Sequence, residues 1–330
     1  MGRNTSGVLR WGLVRVLFFS LLFSLFDSAC QHQRKFLYGT YPNKTYFVHI
    51  PKTGGSSLII DLPKVIQSEA CFMYMKNFFG ADTDSFYFTF LRNPRSHVWS
   101  QYVYARDILP EVKRLFNSSI GEYFGLTPLS TLEFPMNSSV VSGFRAWINH
   151  FVKGLHADGS MSETDSFNYF HPYNYQSRVL SPSCNLSQSW QFSRDIQSVQ
   201  EMQRSLLKSL DSLSFVGITE FYSTSMCLLM YHLNLELPHA CTTPSSDDLF
   251  SHVGKSHAES ISQRPLVPLL LWKKVDLLTR FDNALYCAGL RRFSCALEAF
   301  RVKTGQTLRG SERYFQWLIN NSSCRPLLAY

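Results

Sequence analysis

One stretch restricts the fold more than any other part of this 330-residue chain: Tyr46-Phe47-Val48-His49-Ile50, followed by Pro51-Lys52-Thr53-Gly54-Gly55-Ser56-Ser57. Apart from His49, the five residues before the proline are aromatic or β-branched, a strand composition. Pro51 ends the strand because it has no N–H for a ladder. The glycine pair makes a tight turn, and Ser56 to about Ile60 reads as the start of a helix. A strand that runs through a turn into a helix is the first half of a crossover unit, so the pattern predicts an α/β fold with a parallel sheet. The same turn has a chemistry. Amides at glycines and at a helix N-terminus converge on anions. Lys52 adds a mobile positive charge, and Thr53, Ser56 and Ser57 add hydroxyl donors. The lysine precedes the glycines instead of following them, so this is not a Walker A loop, which weighs against a P-loop kinase.

Further elements extend the alternation. Phe86 to Leu91 reads as a strand apolar enough to be buried on both faces. Asn93-Pro94 is a helix start, a capping residue followed by proline at the first position, and that helix should run to about Arg106. Residues 107–190 are rich in Ser, Asn and aromatics and read as surface loops with short helices. A helical stripe follows in Ile196, Val199, Met202, Leu206, Leu207 and Leu210. Phe215 to Ile218 is a further strand, about Tyr222 to Leu235 a helix, 242–265 a polar linker and about 270–304 a helical tail. No internal repeat is present.

The second chemical constellation is Leu91-Arg92-Asn93-Pro94-Arg95 with Ser100 two turns into the helix. Arg92 closes a strand, where ligands bind in open α/β sheets. An arginine fork beside a hydroxyl suits a terminal phosphate. The net charge of +8 agrees with an anionic ligand or an acidic polymer, and equally with a generally basic surface.

The N-terminus reads as a targeting segment. Arg3, Arg10 and Arg15 precede an apolar run from Val16 to Phe26. That run is short for a span of roughly 20 residues, and reaching back to Leu9 includes Arg15. A type II signal anchor and a cleaved signal peptide, with Ser28-Ala29-Cys30 as the small-residue site, both remain open. Met1-Gly2 with Ser6 also fits a myristoylation pattern. Either of the first two readings faces the rest of the chain to the secretory lumen. Sequons at Asn43, Asn117, Asn137, Asn185, Asn320 and Asn321 agree with that address. So do Cys71, Cys184, Cys227, Cys241, Cys287, Cys295 and Cys324, which have no zinc-like spacing and read as disulfides with at least one thiol left over.

Taken together, the two motifs resemble the phosphate loops of Golgi carbohydrate sulfotransferases, nearest to the heparan sulfate 6-O-sulfotransferase-like group. Three later segments are similar to that family and stand in its order: Asn174 to Leu180, Phe215 to Glu220, and Asp282 to Ala288. The resemblance implies a P-loop-like sulfotransferase fold, with a central mostly parallel sheet and helices on both faces. It divides the chain into an anchor or signal peptide (1–30), a short stem (31–44), a sulfotransferase domain (45–305) and a tail (306–330). It further implies 3′-phosphoadenosine 5′-phosphosulfate (PAPS) as sulfuryl donor, no metal and no nucleic acid. Lys52, Thr53, Gly54, Gly55, Ser56 and Ser57 would hold the 5′-phosphosulfate, with Lys52 catalytic. Arg92 and Ser100 would read the 3′-phosphate, and Arg178 and Lys255 are further donor candidates. The family carries a general base between the two loops, and this chain has no histidine there. Glu69 is the candidate by position. His156, in Gly154-Leu155-His156-Ala157-Asp158, is the candidate by local similarity, although it follows the second loop. The expected acceptor is a hydroxyl of a glycan, in a single-pass Golgi membrane protein or, after signal cleavage, a secreted one. A protein tyrosine acceptor and a catalytically inactive relative that binds glycan or nucleotide are the alternatives.

Overall fold

The computed structural model describes residues 44–55, 57–58, 61, 72–75, 85–107, 139–155, 171–181, 196–243, 264–320 and 324. Four strands, β1 (Lys44–Val48), β2 (Phe72–Met75), β3 (Ser85–Leu91) and β4 (Phe215–Ile218), pair in the order β2-β1-β3-β4. Every pairing is parallel. The chain is therefore an α/β protein, as the strand-turn-helix pattern predicts. β1 lies two residues earlier than the apolar run suggests, and His49 and Ile50 already belong to the turn.

Strand order places the site. β1 leads to β2 on one side, whereas β3 lies on the other side of β1 and leads on to β4. Connections from two adjacent strands diverge at such a point and leave a crevice outside their carboxyl ends. The loop 49–55 leaves β1 there, and Arg92 leaves β3 beside it.

Among the described residues, besides the helix that starts after the β1 loop, the helices are α1 (Pro94–Asp107), α2 (Val140–Lys153), α3 (Tyr175–Leu180), α4 (Ile196–Ser212), α5 (Tyr222–His232), α6 (Leu269–Leu278), α7 (Arg280–Thr304) and α8 (Ser311–Asn320). One core joins the sheet to α5, α7 and α8 through Phe47, Phe88, Leu228, Phe293 and Tyr314. Contact with α7 is close: a Cβ on Gly289 would lie 2.5 Å from Leu91 Cδ1, so a larger residue there would have to push the buried Leu91 side chain aside. A second core joins α1, α2 and α6 through Trp99, Tyr102, Phe144, Trp147 and Val275. Trp99 meets Phe144 edge-on at 4.9 Å, a favourable aromatic geometry. Arg95 adds a bidentate pair to Asp276, at 2.8 and 2.6 Å, between α1 and α6.

Other features also differ from the sequence reading, which did not include β2. The region 107–190, read as surface loops with short helices, contains α2, a helix of 14 residues that buries Val140, Phe144, Trp147, Ile148 and Phe151 on one face. The 270–304 helix is two helices, broken at Thr279. Beyond it, α8 contributes the buried Tyr314, whose hydroxyl donates to the Leu290 carbonyl at 2.6 Å. Disulfides join Cys227 to Cys241 and Cys287 to Cys324, and Cys295 is also disulfide-bonded. No helix among the described residues is long and apolar enough to cross a membrane, and the expected anchor at 1–30 lies outside them.

Candidate functional site

The loop after β1 is organised by its carbonyl groups. Thr53 Oγ1 donates to the Ile50 carbonyl at 2.7 Å, and His97 Nε2 lies 2.8 Å from the Pro51 carbonyl. Arg92 donates to the Lys52 carbonyl at 2.9 Å, and Thr219 Oγ1 to the Thr53 carbonyl at 2.7 Å. The Gly54 carbonyl accepts from Leu58 N at 3.0 Å and so begins the helix. Five consecutive carbonyls are thus engaged. In a trans peptide the N–H points opposite to the C=O. Tying back the carbonyls of Pro51, Thr53 and Gly54 therefore turns the amides of Lys52, Gly54 and Gly55 to the other side. Backbone amides gathered at a helix start are groups of the kind that bind anions.

Backbone torsions are unusual here. Lys52 has φ 68°, a left-handed conformation that costs a non-glycine residue roughly 1–2 kcal/mol. Gly54 has φ 96°, a region open to glycine alone. Gly55 is required for a different reason: a Cβ there would fall 2.1 Å from His49 Nε2. Burial, with the charge of Lys52 as the second cause, lowers the His49 pKa to about 4, so this imidazole is neutral and packs against the turn.

The Lys52 ammonium lies 3.8 Å from the ring centroid of Tyr104 on α1, a cation–π contact. Burial lowers its pKa to about 8, and the neighbouring Arg92 pushes in the same direction. Lys52 and Arg92 are both half-buried and Glu220 is exposed, yet protein surrounds all three closely enough that burial is the largest influence on their ionisation. Groups that solvent reaches but protein encloses on most sides line a crevice. Burial raises the Glu220 pKa, and Arg92 opposes the rise, as do the Asn93 amide and the Tyr286 hydroxyl, which donate to its two oxygens at 2.9 and 3.0 Å. Arg264 lies within electrostatic reach of both Glu220 and Arg92, so the carboxylate compensates a cluster of guanidiniums.

Arg92 is positioned from behind. Its N–H donates to Gln176 Oε1 at 3.0 Å, and Gln176 Nε2 donates to its carbonyl at 2.9 Å, so one side-chain amide continues the β3 ladder. Gln176 in turn sits in a mutual cap between α3 and α7. Asp282 accepts from the amides of Ser177 at 2.8 Å and Gln176 at 3.2 Å, while Asn174 Oδ1 accepts from the Phe281 amide at 2.9 Å. Each helix start is satisfied by a side chain of the other. Asp282 is fully buried, and burial outweighs its hydrogen bonds and raises its pKa to about 6.

Of the residues predicted from sequence, the structure brings Lys52, Thr53, Gly54, Gly55 and Arg92 together. Ser57 follows in the helix, and Ser100 is half-buried on α1. Arg178 is buried on α3, within electrostatic reach of Asp282 and His171. His171 is itself a packed histidine, 4.4 Å from the Phe151 ring. Ser56, Glu69, His156 and Lys255 lie outside the described residues. Sequence reasoning missed His97, Tyr104, Thr219, Gln176, Glu220, Tyr286 and Arg264 as members of the site. Four of these, Gln176, Thr219, Glu220 and Tyr286, stand in the three later segments, where Asp282 also lies, so those segments brace the two loops. Among the described residues no group of His, Cys, Asp and Glu is placed to hold a metal ion. Neither a protein-family model nor a curated protein sequence matches the chain.

Proposed function

We propose that this crevice binds PAPS and that the protein transfers its sulfuryl group to a hydroxyl, within a P-loop-like sulfotransferase fold. The observation that carries the reading is the set of tied carbonyls around Lys52. It leaves backbone amides, one ammonium and the Arg92 guanidinium at the carboxyl ends of two adjacent parallel strands. The donor set is cationic and hydrogen-bond donating, which fits a ligand bearing two separate anionic groups. The resemblance of both loops and three later segments to Golgi carbohydrate sulfotransferases supports the same assignment.

PAPS supplies an activated sulfuryl group on a phosphate leaving group. The chain's own residues then divide the work. The amides of Lys52, Gly54 and Gly55, with the serines Ser56 and Ser57, hold the 5′-phosphosulfate, while Thr53, whose hydroxyl and amide both donate to the Ile50 carbonyl, shapes the loop. Lys52 meets the negative charge that grows on the bridging oxygen, a contribution felt most in the transition state. Arg92 and Ser100 face the 3′-phosphate. The bond from sulfur to the bridging oxygen breaks as a bond to the acceptor oxygen forms, and the acceptor proton passes to a base, for which Glu69 and His156 remain the candidates. The acceptor class we assign is a glycan hydroxyl in the secretory lumen of the Golgi, reached by a membrane-anchored or secreted protein.

Incubation of the purified full chain with labelled PAPS and a panel of glycan, tyrosine-peptide and small hydroxyl acceptors tests this directly. Transfer to a glycan that is lost in Lys52→Ala is the expected result. Binding of 3′,5′-ADP with no transfer to any acceptor would favour an inactive nucleotide-binding relative. Absence of both binding and transfer would overturn the proposal.

A further inference from the structure

We propose that His97 is a positioning residue for the donor loop: donating from Nε2 to the Pro51 carbonyl, it turns the Lys52 amide toward the group being transferred and keeps the Lys52 ammonium in place over Tyr104. The inference rests on the reading of this loop as a sulfuryl-donor site and adds a residue that neither phosphate motif includes. His97 stands on the first turn of α1, three residues after Pro94, and is fully buried. Its Nε2 lies 2.8 Å from the Pro51 oxygen, which can only accept, so Nε2 carries the proton. The other ring nitrogen, Nδ1, is buried with no hydrogen-bond partner among the described residues. A buried lone pair left unsatisfied is a cost, and a purely packing role would be met better by an apolar side chain. The ring also meets Tyr175 at 6.0 Å.

What His97 holds explains the cost. Lys52 has φ 68°, and its backbone is pinned on both sides: the preceding carbonyl by His97 and its own by Arg92. Both clamps come from one short segment, 92–97, so the second phosphate motif and the helix it starts set the geometry of the first. Because the Pro51–Lys52 peptide is trans, holding its oxygen toward α1 directs the Lys52 N–H away from α1. Without that clamp Lys52 is free to relax to negative φ, which swings its side chain off Tyr104. His97 is not itself a proton carrier. Burial is the main cause that lowers its pKa to about 3, the Pro51 bond opposes this, and Arg92 and Lys52 push it lower still. The groups around Lys52 are thus His49 from the end of β1, Arg92 from the end of β3, and His97 and Tyr104 from α1.

The test follows the Lys52 amine, by reductive methylation with a carbon-13 label and NMR titration of the full chain, with the signal assigned through Lys52→Arg. Three substitutions are compared. His97→Gln keeps an N–H at the reach of Nε2. His97→Asn is polar but too short, and His97→Leu is apolar. The wild-type amine should titrate near 8. His97→Leu and His97→Asn should raise the midpoint by about one unit or more as Lys52 moves into solvent, and His97→Gln should stay within about half a unit of wild type. With donor and acceptor, His97→Leu and His97→Asn should lose about tenfold or more in kcat with a smaller change in donor KM, and His97→Gln should recover most of it. A common midpoint in all proteins, or His97→Gln shifted as far as His97→Asn, would overturn the positioning role even if Tm falls. A wild type that neither binds 3′,5′-ADP nor transfers sulfuryl groups would overturn the donor reading, while the Lys52 titration still decides the role of His97.

Discussion

Raising the pH should switch off transfer by discharging Lys52. An ordinary lysine stays charged beyond pH 10, but burial, helped by Arg92, brings this one to about 8. About nine-tenths of the free enzyme is then protonated at pH 7 and about one-tenth at pH 9. If only the ammonium stabilises the leaving oxygen, kcat/KM falls about tenfold per unit above pH 8. The bound donor is anionic and raises the lysine pKa, so the limb in kcat should lie at higher pH than the limb in kcat/KM. The stability sign separates this loss from unfolding. Folding lowers the Lys52 pKa, so charging it opposes the fold, and its contribution to stability grows as pH rises through about 8 toward the unfolded value. The assay is initial rate against donor concentration at constant ionic strength from about pH 6.5 to about pH 9.5. Lys52→Arg, slower but with a charge that does not titrate in this range, should lack the alkaline limb. A kcat/KM flat to about pH 9.5, or an identical limb in Lys52→Arg, would refute the reasoning.

Because Arg92 holds the Lys52 carbonyl as well as facing the 3′-phosphate, Arg92→Ala should weaken both nucleotides, with a loss of about tenfold or more for 3′,5′-ADP and a smaller one for 5′-AMP. Ser100→Ala should weaken only 3′,5′-ADP, and calorimetry with the two nucleotides separates the cases. Gly55→Ala drives a methyl into His49 and should cost about 1–3 kcal/mol by chemical denaturation, with part of the loss recovered when His49→Ala is added. Asp282→Asn leaves one of the Gln176 and Ser177 amides without an acceptor, a cost of about 1–3 kcal/mol at neutral pH. Folding raises the Asp282 pKa to about 6, so its share of stability should decline from about pH 4 to about pH 6 and level off above, and Asp282→Asn should lose that slope.

Some of this molecule is local in origin and was legible in the amino-acid order. The strand run before Pro51, the glycine turn, the Asn93-Pro94 helix start and the strand Phe215–Ile218 each depend on near neighbours: side-chain shape, a cap, a residue free to take positive φ. The α2 helix has a local signal as well, although the sequence reading missed it. Ser139 accepts from the Ser142 amide at 3.2 Å as its cap, and its buried residues follow a helical period, but the polar and aromatic surroundings hid it. Other features had no local signal. β2 is four residues long, too short for a period to show, and exists through its pairing with β1. The break at Thr279 has neither glycine nor proline and is set by Asn174, more than a hundred residues away, which caps the helix that follows. The site obeys the same division. The donor loop and Arg92 stand out because glycine, lysine, arginine and proline have strong local meaning. His97, Gln176, Thr219, Glu220 and Tyr286 are ordinary residues in their own segments. They become parts of a site only because parallel strands in the order β2-β1-β3-β4 bring the carboxyl ends of β1, β3 and β4 to one place, and that order is decided by which buried faces can pack together across the chain.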